Sequence, residues 1–162
     1  MSSTTPVADP DTAAVPAVPV GGRVQLALNV RDVDEAVEFY TRLFGVGPAK
    51  RRPGYANFAV EQPPLKLVLL ESADATERLN HLGVEVPSSA DVQATHGRLA
   101  GEGLTTDTED EVTCCYAVQD KVWVDDPDGA AWEVYTVLAD AQEVGGTTRS
   151  DDSCAGGACA CG

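Results

Sequence analysis

Three residues far apart in the chain, Gln25, His81 and Glu133, carry side chains able to hold one divalent metal ion. An amide oxygen, an imidazole and a carboxylate make a donor set suited to Fe, Mn, Ni or Zn, and three protein donors leave positions open for substrate or dioxygen. Two adjacent thiols, Cys114 and Cys115, form a second chemistry-bearing group, because thiolates select soft acceptors. Successive side chains of a regular strand point to opposite faces. Two adjacent cysteines therefore grip one atom only where the backbone is bulged or looped, which implies a movable loop. The same pair is compatible with two small buried residues of an ordinary strand.

An internal repeat supplies the elements that must position these groups. VQLALNV (24–30) aligns with NHLGVEV (80–86) at an offset of 56 residues, and both alternate polar and apolar residues as half-buried strands do. At the same offset the helix-like DVDEAVEFYTRLFG matches SADVQATHGRLAGE, placing Leu43 on Leu99 and Gly45 on Gly101. Asp32 and either Ser88 or Ser89 read as N-caps. YANFAV and LKLVLL follow the first helix as strands, and TCCYAV, KVWV and AWEVYTVL follow the second, with turns at Gln119-Asp120 and Asp126–Gly129. A strand, a helix and then a meander, twice over, predicts an α+β fold of two paired βαβββ modules, about 23–76 and 77–139. Their curved mixed sheet, mostly antiparallel, has a concave face for a ligand. The repeat puts Gln25 and His81 on equivalent strands across a pseudo-twofold, and Glu133 lies in the last strand. Glu77, at the repeat equivalent of Glu133, is set aside because it lies only four residues before His81. His96, on the second helix, reads as solvent-facing.

Around this domain the chain reads as two unstructured arms. Residues 1–22 are rich in Pro, Ala and Val and contain no aromatic, Lys or Arg residue, which suits an extended arm and lacks the parts of a secretory signal. Residues 140–162 form a Gly-, Ser- and Asp-rich tail with three thiols, Cys154, Cys159 and Cys161. Five cysteines, two of them adjacent, do not resemble a secreted disulfide framework, so a cytoplasmic protein with reduced thiols is expected. The net charge of -15 disfavours nucleic acid and anionic membranes as partners, and no apolar run is long enough for a membrane span.

The segment from Arg23 to about Ala139 resembles the carbon-arsenic lyases and cadmium-induced proteins of the glyoxalase, bleomycin-resistance and dioxygenase superfamily, whose fold is the vicinal oxygen chelate. The resemblance rests on VQLALNV, PGYANFAV, PPLKLVLLE, LNHLGVEV, TCCYAVQDKVWV and WEVYTVLAD, and spans roughly seven-tenths of the chain. The Pro-rich leader lies outside the family pattern. The resemblance implies that Gln25, His81 and Glu133 ligate Fe(II), that O2 is co-substrate, and that Cys114 and Cys115 bind a trivalent organoarsenical. The implied products are arsenite and a carbonyl fragment, and the implied role is arsenical resistance. Such an arsenical keeps one carbon-arsenic bond and offers two exchangeable oxygens, so two thiolates match its valence. The tail cysteines are then possible accessory thiols. Two alternatives stand beside this one: a non-catalytic cadmium or soft-metal binder, favoured by the Cys-rich tail, and a glyoxalase-like isomerase, which has no use for paired thiols. The expected partner is a small organoarsenical, and the protein is expected to be a monomer or a homodimer, its modules pairing within one chain or swapping between two.

Overall fold

The computed structural model describes residues 22–142 and Gly145; the readings of the 1–22 arm before Gly22, and of Cys154, Cys159 and Cys161, lie outside the described residues. Ten elements follow in order: β1 (Arg23–Val30), α1 (Val33–Phe44), β2 (Lys50–Arg52), β3 (Tyr55–Val60), β4 (Leu65–Glu71), β5 (Leu79–Glu85), α2 (Ser89–Gly101), β6 (Asp107–Cys114), β7 (Ala117–Asp125) and β8 (Ala131–Asp140). Each module is thus βαβββ, and the class is α+β. All eight strands join one sheet in the order β2-β3-β4-β1-β5-β8-β7-β6. The modules meet within one chain through the antiparallel pair β1 and β5, and each first strand pairs in parallel with its module's last, β1 with β4 and β5 with β8.

Period-two alternation assigns one face of this sheet to the helices. Leu26, Leu28 and Val30 of β1 join Ala56, Phe58 and Val60 of β3 and Leu67 and Leu69 of β4 against Val33 and Val37 of α1. Val84, Val122 and Val134 similarly back onto Val86 and Val92 under α2. Asp32 starts α1 by accepting from the backbone N–H groups of Asp34 and Glu35, Gly45 closes it in the left-handed conformation at φ 71°, and Ser88 caps α2.

The residues between these core positions point to the opposite face, which no helix covers. Gln25, Lys121 and Glu133 lie on it, yet they are only 3%, 2% and 3% exposed. The sheet itself encloses them by curling. Lys50 of β2, at one end of the strand order, reaches the Tyr116 carbonyl beyond β6 at the other end, at 2.9 Å, and pairs with Asp140. The Tyr55 and Tyr116 rings meet at 5.3 Å across the same seam.

Four expectations are corrected. Gln119-Asp120 is no turn: both residues lie inside β7, and the Asp120 carboxylate accepts from the Glu111 backbone N–H in the bulge of β6. TCCYAV is not one strand, because the chain reverses at Cys115-Tyr116, between Cys114 and its partner Ala117. Glu77 is not the counterpart of Glu133. Gly83, the repeat equivalent of Ala27, pairs with Glu133, whereas Ala27 pairs with Val68, so Val68 occupies the equivalent place and unequal loops shift the alignment. His96 does not simply face solvent; it is half-buried, with Nδ1 3.2 Å from the Thr106 hydroxyl. The acidic β6 and the short β2 are additional strands. Among the described residues no helix is long and apolar enough to cross a membrane.

Candidate metal centre and thiol pair

Three adjacent strands bring the predicted ligands together. Gln25 of β1 and Glu133 of β8 both pair with Gly83 of β5, one on each side, and His81 stands two residues along β5 on the same face. Gln25 Nε2 is 2.5 Å from Glu133 Oε1 and 3.1 Å from His81 Nε2, which is itself 3.2 Å from Glu133 Oε1. Neighbouring ligands on an octahedral ion with bonds of about 2.1 Å stand roughly 3.0 Å apart. The three side chains therefore converge as one face of a coordination sphere. Among the described residues no group of three or more His, Cys, Asp and Glu is placed to hold a metal ion; a third donor beside His81 and Glu133 would have to come from the Gln25 amide.

Each ligand has a partner that sets its orientation. His81 Nδ1 lies 2.7 Å from Asn80 Oδ1, and Asn80 in turn donates to Asn29 at 3.0 Å, which turns Nε2 toward Gln25 and Glu133. Lys121 Nζ donates to Glu133 Oε2 at 3.0 Å, so Oε1 is the oxygen turned inward. Tyr135 Oη donates to Gln25 Oε1 at 2.5 Å. Here the amide nitrogen points at the carboxylate, standing where a cation would. Half a turn of the amide presents the oxygen instead, and the tyrosine hydroxyl, able to donate or accept, serves both orientations.

The electrostatics follow from burial and charge together. Burial alone would push the Glu133 carboxyl up, but the Lys121 ammonium and the His81 imidazole outweigh it and hold the group well below the usual carboxylate range. Burial alone would pull Lys121 down; Glu133 and Cys114 reverse that and raise it. Burial pushes Tyr55 from 10.0 up to about 12, although its bond with Asn57 acts the other way. A phenol raised in the folded state contributes stability that is complete below pH 10 and lost as pH rises through 12. Melting temperature measured from pH 9 to 12.5 should therefore fall more steeply in the native protein than in Tyr55→Phe.

The thiols stand at the β6–β7 reversal. Cys115 and Tyr116 have φ of 52° and 62°, the left-handed values that a two-residue hairpin turn needs at both central positions. Such turns favour Asn and Gly, and holding non-glycine residues there costs about 1–3 kcal/mol each. A tight turn thus replaces the expected movable loop, and it swings the second sulfur round so that the two Sγ atoms lie 3.4 Å apart. Cys115 is disulfide-bonded in this structure, so joint action of the two sulfurs requires its reduction. Burial pushes the Cys114 thiol up, and Lys121, close enough to hydrogen-bond it, partly offsets this. Lys121 accordingly bridges Cys114 and Glu133.

Sequence reasoning missed Lys121, Tyr135, Asn80 and Gly83. A lysine within the strand run KVWV and a glycine within LGVEV were the available signals. A Cβ on Gly83 would stand 3.0 Å from Glu133 Cγ and 3.2 Å from Gln25 Cβ, closer than packed carbons tolerate, so glycine lets two ligand strands close on the third. Gly83→Ala should lower metal affinity about tenfold, within the range for residues that orient ligands, as measured by competition with a chelating dye.

Comparison with known proteins agrees with this architecture. The Glyoxalase/Bleomycin resistance protein/Dioxygenase superfamily matches residues 22–134. The cadmium-induced protein CadI of Mycobacterium tuberculosis (strain ATCC 25618 / H37Rv) is 58% identical over 139 residues, covering 86% of this chain and 91% of that protein. A trivalent organoarsenical cleaving enzyme of Thermomonospora curvata is 58% identical over 133 residues, covering 81% of this chain and 85% of its own length. Among solved structures, homoprotocatechuate 2,3-dioxygenase from Arthrobacter globiformis shares the fold at a TM-score of 0.56 and 21% identity, over 82% of this chain and 41% of that one. With its paired modules and the profile spanning both of them, the chain belongs to the glyoxalase, bleomycin resistance protein and dioxygenase superfamily.

Proposed function

We propose that this protein is an Fe(II)-dependent, dioxygen-using lyase that cleaves the carbon-arsenic bond of trivalent organoarsenicals. The observation that carries the reading is the spacing of Cys114 and Cys115, 3.4 Å apart and linked through Lys121 to Glu133. One atom bonded to both sulfurs at roughly 2.3 Å, the length sulfur makes to zinc, would subtend about 95°. That is the narrow angle of a pyramidal three-coordinate centre, well below the tetrahedral one. Capture exchanges two As–OH bonds for two As–S bonds and releases two waters, so the third valence, the carbon, stays on arsenic.

The metal, when bound by Gln25, His81 and Glu133, supplies open coordination positions and electrons for dioxygen. The chain's own contribution is positional. Asn80 orients the imidazole, Lys121 holds Oε2 of Glu133, and Tyr135 holds the amide, so that these three residues would present Gln25, His81 and Glu133 to a bound ion. The sulfurs hold the reacting carbon beside the site, which replaces a chance encounter by a fixed geometry. Methylarsonous acid plus O2 balances to formaldehyde plus arsenous acid, so no further reductant is needed. The organoarsenical-cleaving relative supports this reading.

A second reading, a soft-metal binder without turnover, is favoured by the equally similar cadmium-induced relative. The two separate in one experiment. Protein reduced and loaded anaerobically with Fe(II) is given methylarsonous acid, and arsenite and oxygen uptake are followed together. Equal amounts of both support the lyase. Retention of the arsenical or of Cd(II) without oxygen uptake would leave the binder.

A further inference from the structure

Beside Cys115 a cavity of about 290 Å3 opens on the enclosed face of the sheet. It lies one step along the strands from the candidate metal centre: Arg23, Glu85 and Gln119 line it, next on that face to Gln25, Gly83 and Lys121, while none of Gln25, His81 and Glu133 does. Small-molecule sites occupy about 300–1,000 Å3, so this one admits a compact molecule. Its charges do not cancel. Arg23 pairs with Glu85 at 3.2 Å, and Lys50 pairs with Asp140. Lys66 is the cation left over: its ammonium stands 3.9 Å from the already paired Glu85 and 4.9 Å over the Tyr135 ring. Burial pulls Lys66 below its ordinary value against the opposing effect of Glu85, as befits a cation short of counter-charge.

Gln119 adds an unused acceptor to the same wall. It is 6% exposed, its Oε1 has no hydrogen-bond partner, and its Nε2 makes only a long 3.5 Å contact with the Cys114 carbonyl. Buried polar atoms are seldom left so, and this one lines a cavity where a ligand's N–H can reach it. The third feature is a sulfur. Cys115 lines the cavity and is disulfide-bonded. Cys114, 3.4 Å away, cannot reduce it: attack by the Cys114 thiolate on the Cys115 sulfur joins the two as a vicinal disulfide and leaves the pair oxidised. Two electrons must come from outside the pair.

We propose that this cavity binds a small thiol bearing a carboxylate and an N–H group, and that the bound thiol reduces the Cys115 disulfide. Lys66 takes the carboxylate, Gln119 Oε1 accepts from the N–H, and the thiol meets the Cys115 sulfur. The chemistry balances with the small thiol as the only other reactant. A first thiolate attacks Cys115 Sγ and bonds to it; the bond to the former partner breaks, and that sulfur leaves with the electron pair and takes up a proton. A second molecule attacks the sulfur of the first, releasing the Cys115 thiol and the small molecule's own disulfide. Two small thiols are oxidised and one protein disulfide is reduced. Reduction by such a thiol thus precedes any joint use of Cys114 and Cys115. The step requires only the disulfide, and holds with or without an arsenical substrate.

The test follows reduction of the oxidised full-length chain, without air, by N-acetylcysteine, 3-mercaptopropionate and 2-mercaptoethanol. These carry a carboxylate with an amide N–H, a carboxylate alone, and neither. Reduced Cys115 is quantified by alkylation and mass spectrometry, and each rate is divided by that thiol's rate with a small uncharged disulfide, which cancels differences in nucleophilicity. A chain of net charge -15 repels anions, so without a site both carboxylates should be slower than 2-mercaptoethanol. With the site, N-acetylcysteine is expected to be about tenfold faster, the low end for a hydrogen bond to a charged group, and 3-mercaptopropionate to fall between. Lys66→Met should bring both carboxylates down to 2-mercaptoethanol or below. Gln119→Leu should remove only the advantage of N-acetylcysteine over 3-mercaptopropionate, and the 2-mercaptoethanol rate should be unchanged in both variants. Carboxylates no faster than 2-mercaptoethanol in the native chain, or an advantage that survives Lys66→Met, overturns the site. Full alkylation of Cys115 before any thiol is added does the same, by removing the disulfide. No arsenical is present, so none of these results bears on carbon-arsenic cleavage.

Discussion

His81→Ala is expected to abolish stoichiometric Fe(II) binding and, with it, arsenite release. The Gln25 amide, His81 Nε2 and Glu133 Oε1 stand 2.5–3.2 Å from one another, so each side chain occupies one corner of the candidate site. Removing even a supporting partner of a ligand typically costs about 10–100-fold in metal affinity, which sets a floor for removing the ligand itself. His81 is the cleaner position to test. Taking Glu133 away strands the Lys121 ammonium, 2% exposed, without its carboxylate, and breaking a buried pair in this way costs about 3–5 kcal/mol of stability. Glu133→Ala should therefore lose both metal and thermal stability, whereas His81→Ala should lose metal with a smaller drop in melting temperature. Gln25→His should retain iron, because it restores a two-histidine, one-carboxylate set. Iron analysis of anaerobically loaded protein, with calorimetric melting alongside, checks all three. Full occupancy in His81→Ala would remove the histidine from the site.

The paired substitution Cys114→Ser, Cys115→Ser is expected to separate substrate capture from metal binding. Serine keeps the size and hydrogen bonding of both residues but has no soft donor. The sulfurs approach the metal ligands only through Lys121, which retains its own bond to Glu133. Iron occupancy should stay within about twofold of the native value, a change smaller than the loss of even a supporting partner would bring. Affinity for methylarsonous acid and the rate of arsenite release should fall at least about a hundredfold, because one fixed geometry is exchanged for chance encounter. Either single substitution should approach the double, since one sulfur leaves the arsenic free to rotate about its bond. Parallel measurement of iron content and arsenite in the three variants decides the matter. Arsenite release at the native rate by the double variant would make the thiols structural.

Much of the fold was legible because it is written in short-range patterns. The 56-residue repeat, the alternation in VQLALNV and NHLGVEV, and the caps Asp32 and Ser88 all depend on residues a few positions apart. The same patterns placed Gln25, His81 and Glu133 on strands. What they misjudged were positions where tertiary contacts override composition. Gln119 and Asp120 read as turn residues, yet β7 runs through them because one faces the enclosed side of the sheet and the other closes a bulge in its neighbour. Cys115-Tyr116 lacks the usual turn residues and turns nonetheless, seated against Tyr55 in the seam where the sheet curls. β6, with its run of acidic residues, carried no apolar alternation to announce it.

The sequence by itself determined the two modules, their helices and the residue types available for chemistry. Only the tertiary structure decided which of those residues meet, because register across strands is set by pairing between segments that are distant in the chain. Gly83 lies between Gln25 and Glu133 by such pairing, and Lys121 reaches Glu133 from the neighbouring strand by the same means. Burial then converts proximity into chemistry. A lysine and a glutamate excluded from water hold each other charged beside a thiol, a consequence of low local dielectric that no reading of residue spacing contains.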